Sequence, residues 1–419
     1  MKYLSPQASL RSNAEQLSLL SYNILLPNSI EGWWIPKCFV QGTPQEARTW
    51  KSRKEKLENQ LLTARADIIC IQEAAASSFN EDFSALFQAG YEAVLHQKNN
   101  LFRCATFFRT EKLTLISTRH RFRTLVHIFQ WNDELLAIIN VHLSGGPHPK
   151  IRCSQLHEAL QHLKKMCNQL AIDIDTLPIA MMGDFNCNPT CTPVDEFLSS
   201  GFLSTEARDP MFPSMALTKK GKRHDFAGLS NLYATYFPEH PPTLYGMPLV
   251  NHFCLPHSPQ QLMQYRKDGT LRQLLRQETL DKIEQLFRRY ASNGSMNRNA
   301  VEKWLYTING GLRGDAWKAA QDKQYHLILE DFITIYTKKL ENGLWWSLAA
   351  DLECHNIPLP TVEAKMHQEA LDHIYLRGFK PQAIRHIDTD IRKGLPNQKH
   401  PSDHLPLGCI VEKRSDISS

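Results

Sequence analysis

Leu177–Pro178–Ile179–Ala180–Met181–Met182–Gly183–Asp184–Phe185–Asn186 is a short apolar run that stops at a Gly-Asp-x-Asn turn. A run this short, closed by turn residues, predicts a buried β-strand. A strand ending this way projects a carboxylate and a carboxamide from a sheet edge. Such a pair can orient a water through Asp184 and hydrogen-bond a developing phosphorane oxygen through Asn186. The ordinary alternative is a turn with Asx caps, since Asp and Asn favour turns anyway.

The pattern recurs in both directions along the chain. Leu17–Ile24, Ile68–Ile71, Leu135–Leu143, Leu371–Leu376 and Leu405–Val411 are further short apolar runs with polar residues set in them or at their ends. Asn23 interrupts the first, Gln72–Glu73 closes the second, and His142 lies near the end of the third. Asp372–His373 opens the fourth, and Asp403–His404 precedes the fifth. A carboxylate such as Glu73 at a strand end suits a hard cation like Mg²⁺, which takes one or two carboxylates and keeps several waters. In Asp403–His404, an acid beside a histidine can fix the imidazole tautomer for work on a phosphate. Any one histidine on a strand is ordinarily structural. Six polar insertions in apolar strands are another matter, because burying polar groups costs stability unless they have partners or a function.

Amphipathic helices lie between the strands. Thr49–Arg65 places Trp50, Leu57, Leu61 and Leu62 near one face, and Cys153–Leu170 does so with Leu156, Leu160, Leu163 and Leu170. Strands interleaved with helices predict a layered α/β domain. The region from about Pro256 to Leu344 lacks β-branched runs. It reads as helices over Leu271–Tyr290, Ala300–Thr307, Asp315–Gln324 and Leu329–Leu340. We therefore expect a discontinuous catalytic domain, residues 1–255 and 345–419, with a helical module inserted at 256–344.

In this order, Ser21–Tyr22–Asn23, Gln72–Glu73, Val141–His142–Leu143, Gly183–Asp184–Phe185–Asn186, Leu371–Asp372–His373–Ile374 and Ser402–Asp403–His404 resemble the endonuclease/exonuclease/phosphatase superfamily. The tail Gly394–Leu395–Pro396–Asn397 and Pro401–Leu407 is similar to its deadenylase, nocturnin and Angel branch. The resemblance implies a four-layered α/β sandwich with two central mixed β-sheets and hydrolysis of phosphate esters with Mg²⁺ or Mn²⁺. It implies Glu73 as the main metal ligand, with Asn23 holding the metal network. Asp184 would position or deprotonate the attacking water, and Asn186 would bind the phosphate. Asp403 would orient His404 on the scissile phosphate. His142 would serve the phosphate or leaving group, and Asp372 would support the metal or the phosphate-binding histidine. Arg152 and Gln155 fit an Arg-x-x-Gln pattern of the family and are expected at the substrate.

The branch favours RNA as substrate. Lys98, Arg103, Arg109, Lys112, Arg119, Arg121 and Arg123, with Phe102, Phe107, Phe108 and Phe122 interleaved, could follow a nucleic-acid backbone and stack bases. The same stretch could equally be a hairpin with one solvated basic face and one buried aromatic face. A phospholipid or inositol-phosphate substrate is the second reading, and a non-catalytic binding protein the third.

The insert resembles an EF-hand pair, as in calcium-binding plant members of the superfamily, but its first loop departs from the pattern. In register, Ala291, Asn293, Ser295 and Glu302 fall at ligand positions one, three, five and twelve, and Met296 falls where glycine is needed. One acid where several are required argues against calcium binding, so we expect a degenerate helical pair used for packing, substrate contact or a protein partner.

The 419 residues carry 42% hydrophobic and 22% charged residues and a net charge of +5, which excludes a disordered chain and argues only weakly for a polyanionic partner. No transmembrane segment is expected. Ten cysteines without regular spacing fit a reducing, cytoplasmic-like compartment, and a protein exported without a cleaved signal would look the same.

Overall fold

The computed structural model describes residues 1–27, 44–97, 102–146, 148–188, 192–210, 213–246, 275, 277–341, 345–358, 367–388, 391 and 394–414. They fall into two compact units. One takes the described residues up to Gly246 and again from Gln368, and the other the described residues between Met247 and His367.

The first unit is built on two mixed sheets. We number its principal strands β1 (Lys2–Leu4), β2 (Leu17–Asn23), β3 (Ile68–Ala74), β4 (Tyr91–Leu95), β5 (Arg103–Arg109), β6 (Leu113–Arg121), β7 (Thr124–Trp131), β8 (Glu134–His142), β9 (Ile179–Asp184), β10 (Ser230–Asn231), β11 (Asp372–Arg377), β12 (Phe379–Arg385) and β13 (Leu407–Lys413). The seven-stranded sheet has the order β1-β12-β13-β2-β3-β5-β4, and the six-stranded sheet β10-β11-β9-β8-β7-β6. The two central pairs, β2 with β3 and β8 with β9, are parallel, so their C-terminal ends emerge on one edge.

Each sheet carries a helix on its outer face. Helix α1 (Trp50–Ala64) packs Leu57, Leu61 and Ala64 against Leu20, Tyr22, Ile69 and Ile71. Helix α2 (Pro149–Leu170) packs Leu156, Leu160 and Leu163 against Val126, Ile139 and Met181. Each such leucine contributes about 1.5–3 kcal/mol of burial. Helix, sheet, sheet and helix make the four-layered sandwich that the family resemblance implies.

A buried polar network crosses between the sheets. Gln72 Nε2 donates to Asn140 Oδ1 at 2.9 Å, and Asn140 Nδ2 donates to Ala105 O at 3.0 Å and to Ile71 O and Thr106 Oγ1 at 3.2 Å. Both side chains are fully buried. Two sliding apolar faces have no fixed register, whereas this directional network has one.

The second unit contains α3 (Gln277–Arg288), α4 (Arg298–Asn309), α5 (Asp315–Asp322), α6 (Leu329–Glu341) and α7 (Trp345–Glu353) around Trp304, Leu305, Phe332 and Leu348. Residues 256–274 of the expected module lie outside the described residues. Ser295–Met296 pairs antiparallel with Leu327–Ile328. This corrects the loop register expected from sequence. The turn takes positive φ at Asn293 (+51°) and Gly294 (+79°), while Met296 is fully buried among the apolar residues of the unit. The apolar side chain goes to the core, and the glycine two residues earlier takes the left-handed conformation. Glu302 lies outside the shifted loop, ion-paired to Arg298 at 2.8 Å. No helix among the described residues is long and apolar enough to cross a membrane.

Candidate active site

The parallel central strands bring the predicted residues to one edge. In register, His142 of β8 lies beside Asp184 of β9, and Asp184 lies beside Asp372 of β11. Gly183 makes this close lateral pairing possible, since a Cβ there would meet Val141 O at 1.9 Å. From the other sheet come Asn23 and Glu73. Asn23 Nδ2 donates to Asp184 Oδ2 at 3.0 Å and to Glu73 Oε1 at 3.3 Å, joining the two sheets' carboxylates through one amide.

Glu73 is re-aimed by its backbone. The pairing of β3 with β5 shifts register between Ile71 and Ala74, and Glu73 sits in the bulge at φ +68°. A non-glycine residue there is strained, and bulges of this kind turn a side chain toward a site. Leu26 N donates to Glu73 Oε2 at 2.9 Å. Burial, and then the charge of Asp403, push the Glu73 carboxyl above its usual range.

The histidines are held in opposite protonation states. His142 Nε2 stands 3.6 Å from Asp184 Oδ2 and 3.8 Å from Glu73 Oε1. Burial, with Arg123 and His404 nearby, holds its pKa well below the usual value, so the ring is neutral. His404 is equally buried, which disfavours charge, but its pairing with Asp372, reinforced by Asp403 and Asp184, wins and raises its pKa well above normal. Burial also raises the Asp184 carboxyl, against the pull of His404.

Two expectations about partners change. The acid on the His404 ring is Asp372, whose Oδ2 accepts from Nδ1 at 2.7 Å. Asp403 is the sequence neighbour of His404, and it accepts instead from Ser402 Oγ at 3.3 Å. The chain bends through Ser402 and Asp403, so the neighbouring side chains take different directions and the first residue of β11 supplies the partner. Arg152 and Gln155 are spent on the segment after β8. Arg152 Nη1 donates to Ser144 O and Gly146 O at 3.2 and 2.7 Å, and its Nη2 lies 3.6 Å from Asp209. Gln155 binds Ser144 through both amide atoms. Both side chains are buried, and they fix the segment from Ser144 to Gly146. His373 is a structural histidine, bonded to Cys187 O and Asn231.

Asn186 receives its geometry from the turn. Its N–H donates to Asp184 Oδ1 at 2.8 Å, and one amide N–H donates to Leu143 O at 2.9 Å, leaving the second amide N–H. The sequence does not announce Arg53 as a site residue. It is fully buried in α1 and donates to Ile24 O, Leu25 O, Leu26 O and Pro401 O at 2.8–3.1 Å. It thereby ties the strand end that positions Glu73 to the segment carrying Asp403 and His404. Its only signal in the sequence is a charged residue one turn before the apolar stripe of α1.

These residues fit a divalent cation. Glu73, Asp184 and Asp372 are buried or nearly so, yet their ion pairs among the described residues are with histidines alone, and Asp372 Oδ1 has no hydrogen-bond partner. Buried negative charge in such excess calls for a cation. No three His, Cys, Asp or Glu side chains among the described residues stand in metal-ligand geometry. A single carboxylate donor, Glu73, suits an ion that keeps its waters. Asn23 donates its amide to Glu73 and Asp184, and so would orient that carboxylate toward an ion.

The sequence profile of the Endonuclease/Exonuclease/phosphatase family matches residues 20–404. Carbon catabolite repressor protein 4 homolog 2 of Arabidopsis thaliana is 25% identical over 268 residues, 52% of this chain and 42% of its own. The CCR4-Not complex 3'-5'-exoribonuclease subunit Ccr4 of Candida albicans is 24% identical over 220 residues, 42% of this chain and 27% of that one. The chain thus spans less than half the length of these curated relatives. Among solved structures, ANGEL2, a 2',3'-cyclic phosphatase, in complex with adenosine-2',3'-vanadate, shares the fold with a TM-score of 0.55 at 16% identity, covering 95% of this chain and 96% of that one. The profile match takes in every residue of the cluster from Asn23 to His404, and the chain belongs to the endonuclease/exonuclease/phosphatase family.

Proposed function

We propose that this chain is a divalent-metal-dependent phosphodiesterase that cleaves RNA. The observation that carries the reading is the single cluster in which Asn23, Glu73, His142, Asp184 and the Asp372–His404 pair meet at the ends of two sheets. Glu73 would hold the ion, Mg²⁺ or Mn²⁺, with Asn23 orienting the carboxylate. When bound, that ion supplies Lewis-acid stabilisation of charge developing on the phosphate oxygens.

The chain's own groups handle the protons and the remaining charge. Asp184 accepts a proton from the attacking water as the new O–P bond forms, and its burial-raised proton affinity suits a general base. The imidazolium of His404 and the second amide N–H of Asn186 donate to the phosphate oxygens, where charge accumulates. The opposite P–O bond breaks, and its oxygen takes a proton from solvent on the side of neutral His142. RNA is favoured by the 3'-5'-exoribonuclease named among the relatives.

The test is hydrolysis by purified protein of unstructured RNA, RNA ending in a 2',3'-cyclic phosphate, duplex DNA, inositol phosphates and sphingomyelin. RNA cleavage that vanishes with EDTA and returns with Mg²⁺ is the expected result. Full activity in metal-free protein, or turnover of the lipid or inositol phosphate alone, overturns it.

A further inference from the structure

The β6–β7 hairpin tip reaches the same strand ends as the catalytic cluster, and the proposed chemistry makes no use of it. Its backbone is pinned from several sides. His142 N–H donates to Arg123 O at 3.0 Å, Cys104 Sγ donates to the same carbonyl at 3.6 Å, and His96 Nε2 lies 3.2 Å from Arg121 O. Phe102, just before β5, meets the His142 ring edge to face, with centroids 5.8 Å apart and planes at 88°. The Arg123 guanidinium carbon is 5.9 Å from the Phe102 centroid. An aromatic face and a cation therefore stand one side chain away from Asp184.

The neighbours of this pair are otherwise committed. Phe107 and Phe108 are buried in the fold. Arg103 donates to His96 O, Arg109 stacks on Tyr91, Arg119 donates to Gln169 and Arg121 lies against His162. Lys98 lies outside the described residues. Most of the basic stretch is thus structural. Among the described residues, the Arg123 guanidinium has no hydrogen bond or ion pair, only the ring of Phe102. Phe102 is half-buried, and Phe122 on the tip is 52% exposed.

We propose that Phe102 and Arg123 form a lip that grips the nucleotide beside the scissile phosphate on the His142 side. Phe102 stacks its base, and Arg123 takes the neighbouring phosphate. The pair suits a single strand, because a base in a duplex is already stacked between its neighbours. The proposal rests on the nucleic-acid reading above and adds which part of the substrate is held, and by what.

The test is equilibrium binding of a fluorescent single-stranded RNA oligonucleotide in EDTA, so that cleavage is not required. Phe102→Ala should weaken binding about 5- to 150-fold, the equivalent of ~1–3 kcal/mol of base stacking, and Phe102→Trp should restore it. In a series with one abasic position moved along the strand, one position should bind wild type weakly and be indifferent to Phe102→Ala. Arg123→Gln should reduce the slope of log K against log salt by about 0.7, the equivalent of one single-strand phosphate. Circular dichroism checks that each variant folds. Unchanged binding by Phe102→Ala, or equal loss on base-bearing and abasic strands, overturns the lip. Wild-type protein that binds RNA with this pattern but does not cleave it overturns the nuclease reading and supports the lip. Protein that does not bind RNA overturns both.

Discussion

His404 Nδ1 donates to Asp372 Oδ2 across 2.7 Å, joining a segment that precedes β13 to the first residue of β11. The pair explains how a fully buried imidazole stays protonated. Asp372→Asn keeps the shape and removes the charge, so the ring should lose its proton and its fixed orientation. The variant should fold normally and lose about 10²-fold or more in kcat, with little change in KM. Asp403→Asn should cost less, because Asp403 reaches Ser402 and not the ring. The opposite order would return the orienting role to Asp403.

Arg53 predicts a stability phenotype away from the chemistry. Its guanidinium serves four backbone carbonyls, and burial pushes its pKa down to about 10. Arg53→Met would fill the space but leave those carbonyls without donors. Each charged hydrogen bond contributes about 1.5–3 kcal/mol, so a loss of roughly 3 kcal/mol or more is expected in urea unfolding. Metal-dependent activity should fall with it, since the same carbonyls flank Leu26, which holds Glu73. A variant with wild-type stability would show that the staple is dispensable.

His127 predicts acid sensitivity. It is fully buried in β7, its Nδ1 lies 2.7 Å from Thr118 Oγ1, and burial, aided by His120, depresses its pKa to about 3. Its ordinary value is near 6.5, so between these limits the unfolded chain holds a proton that the native state does not. Stability contributed by the neutral ring is therefore present above about pH 6.5 and is lost progressively as pH falls toward 3. His127→Gln should flatten the slope of unfolding free energy against pH between 6 and 4.5 by up to about 1.4 kcal/mol per pH unit. An unchanged slope would show that other groups carry the acid response.

The helical unit should be indifferent to calcium. Counted from Gly294, the first loop ends at Ala300 and offers no carboxylate at its closing position. In the second, the Asp331 carboxylate is paired with Lys323 Nζ at 2.7 Å, so a lysine already neutralises it. Calorimetry with millimolar calcium should show no saturable site. A micromolar site abolished by Asp331→Asn would prove otherwise.

What the sequence reveals and conceals follows from physics at particular residues. Strand ends were legible because Asn23, Glu73, His142 and Asp184 each interrupt apolar runs, and polar groups are conspicuous there. Helices α1 and α2 were legible from their apolar stripes. The Asp372–His404 bond was not, because adjacency along the chain suggested Asp403 while the partner depends on which side chains face each other in space. The bulge that aims Glu73 is equally hidden, since nothing in Ile-Gln-Glu-Ala marks a positive φ. Arg53 looks like any surface arginine until the fold wraps four carbonyls around it. In the insert, the turn glycine is visible at Gly294, while a register counted from Ala291 sets the loop two residues too late.

Asp184 and His404 carry the last prediction, because the proposed mechanism has both act on one phosphate. In the proposed mechanism Asp184 acts through the attacking water and His404 through the phosphate oxygens, while Asn23 hydrogen-bonds the first and Asp372 the second. Groups that act as a unit lose their effects together, so their deletions should not add. Asp184→Ala and His404→Ala should each lower kcat about 10²–10⁴-fold, the span of a positioned acid or base. The double variant should fall little further. Both sit at strand ends beside the cleft, so near-native circular dichroism is expected for each. Asp225→Ala is the control, since Asp225 is half exposed and paired only with Lys164 at the surface, a pairing of about 0–1 kcal/mol. Additive losses in the double variant would place the two residues in separate steps. Wild-type turnover by Asp184→Ala would remove the water-activating role from the turn that first pointed to this fold.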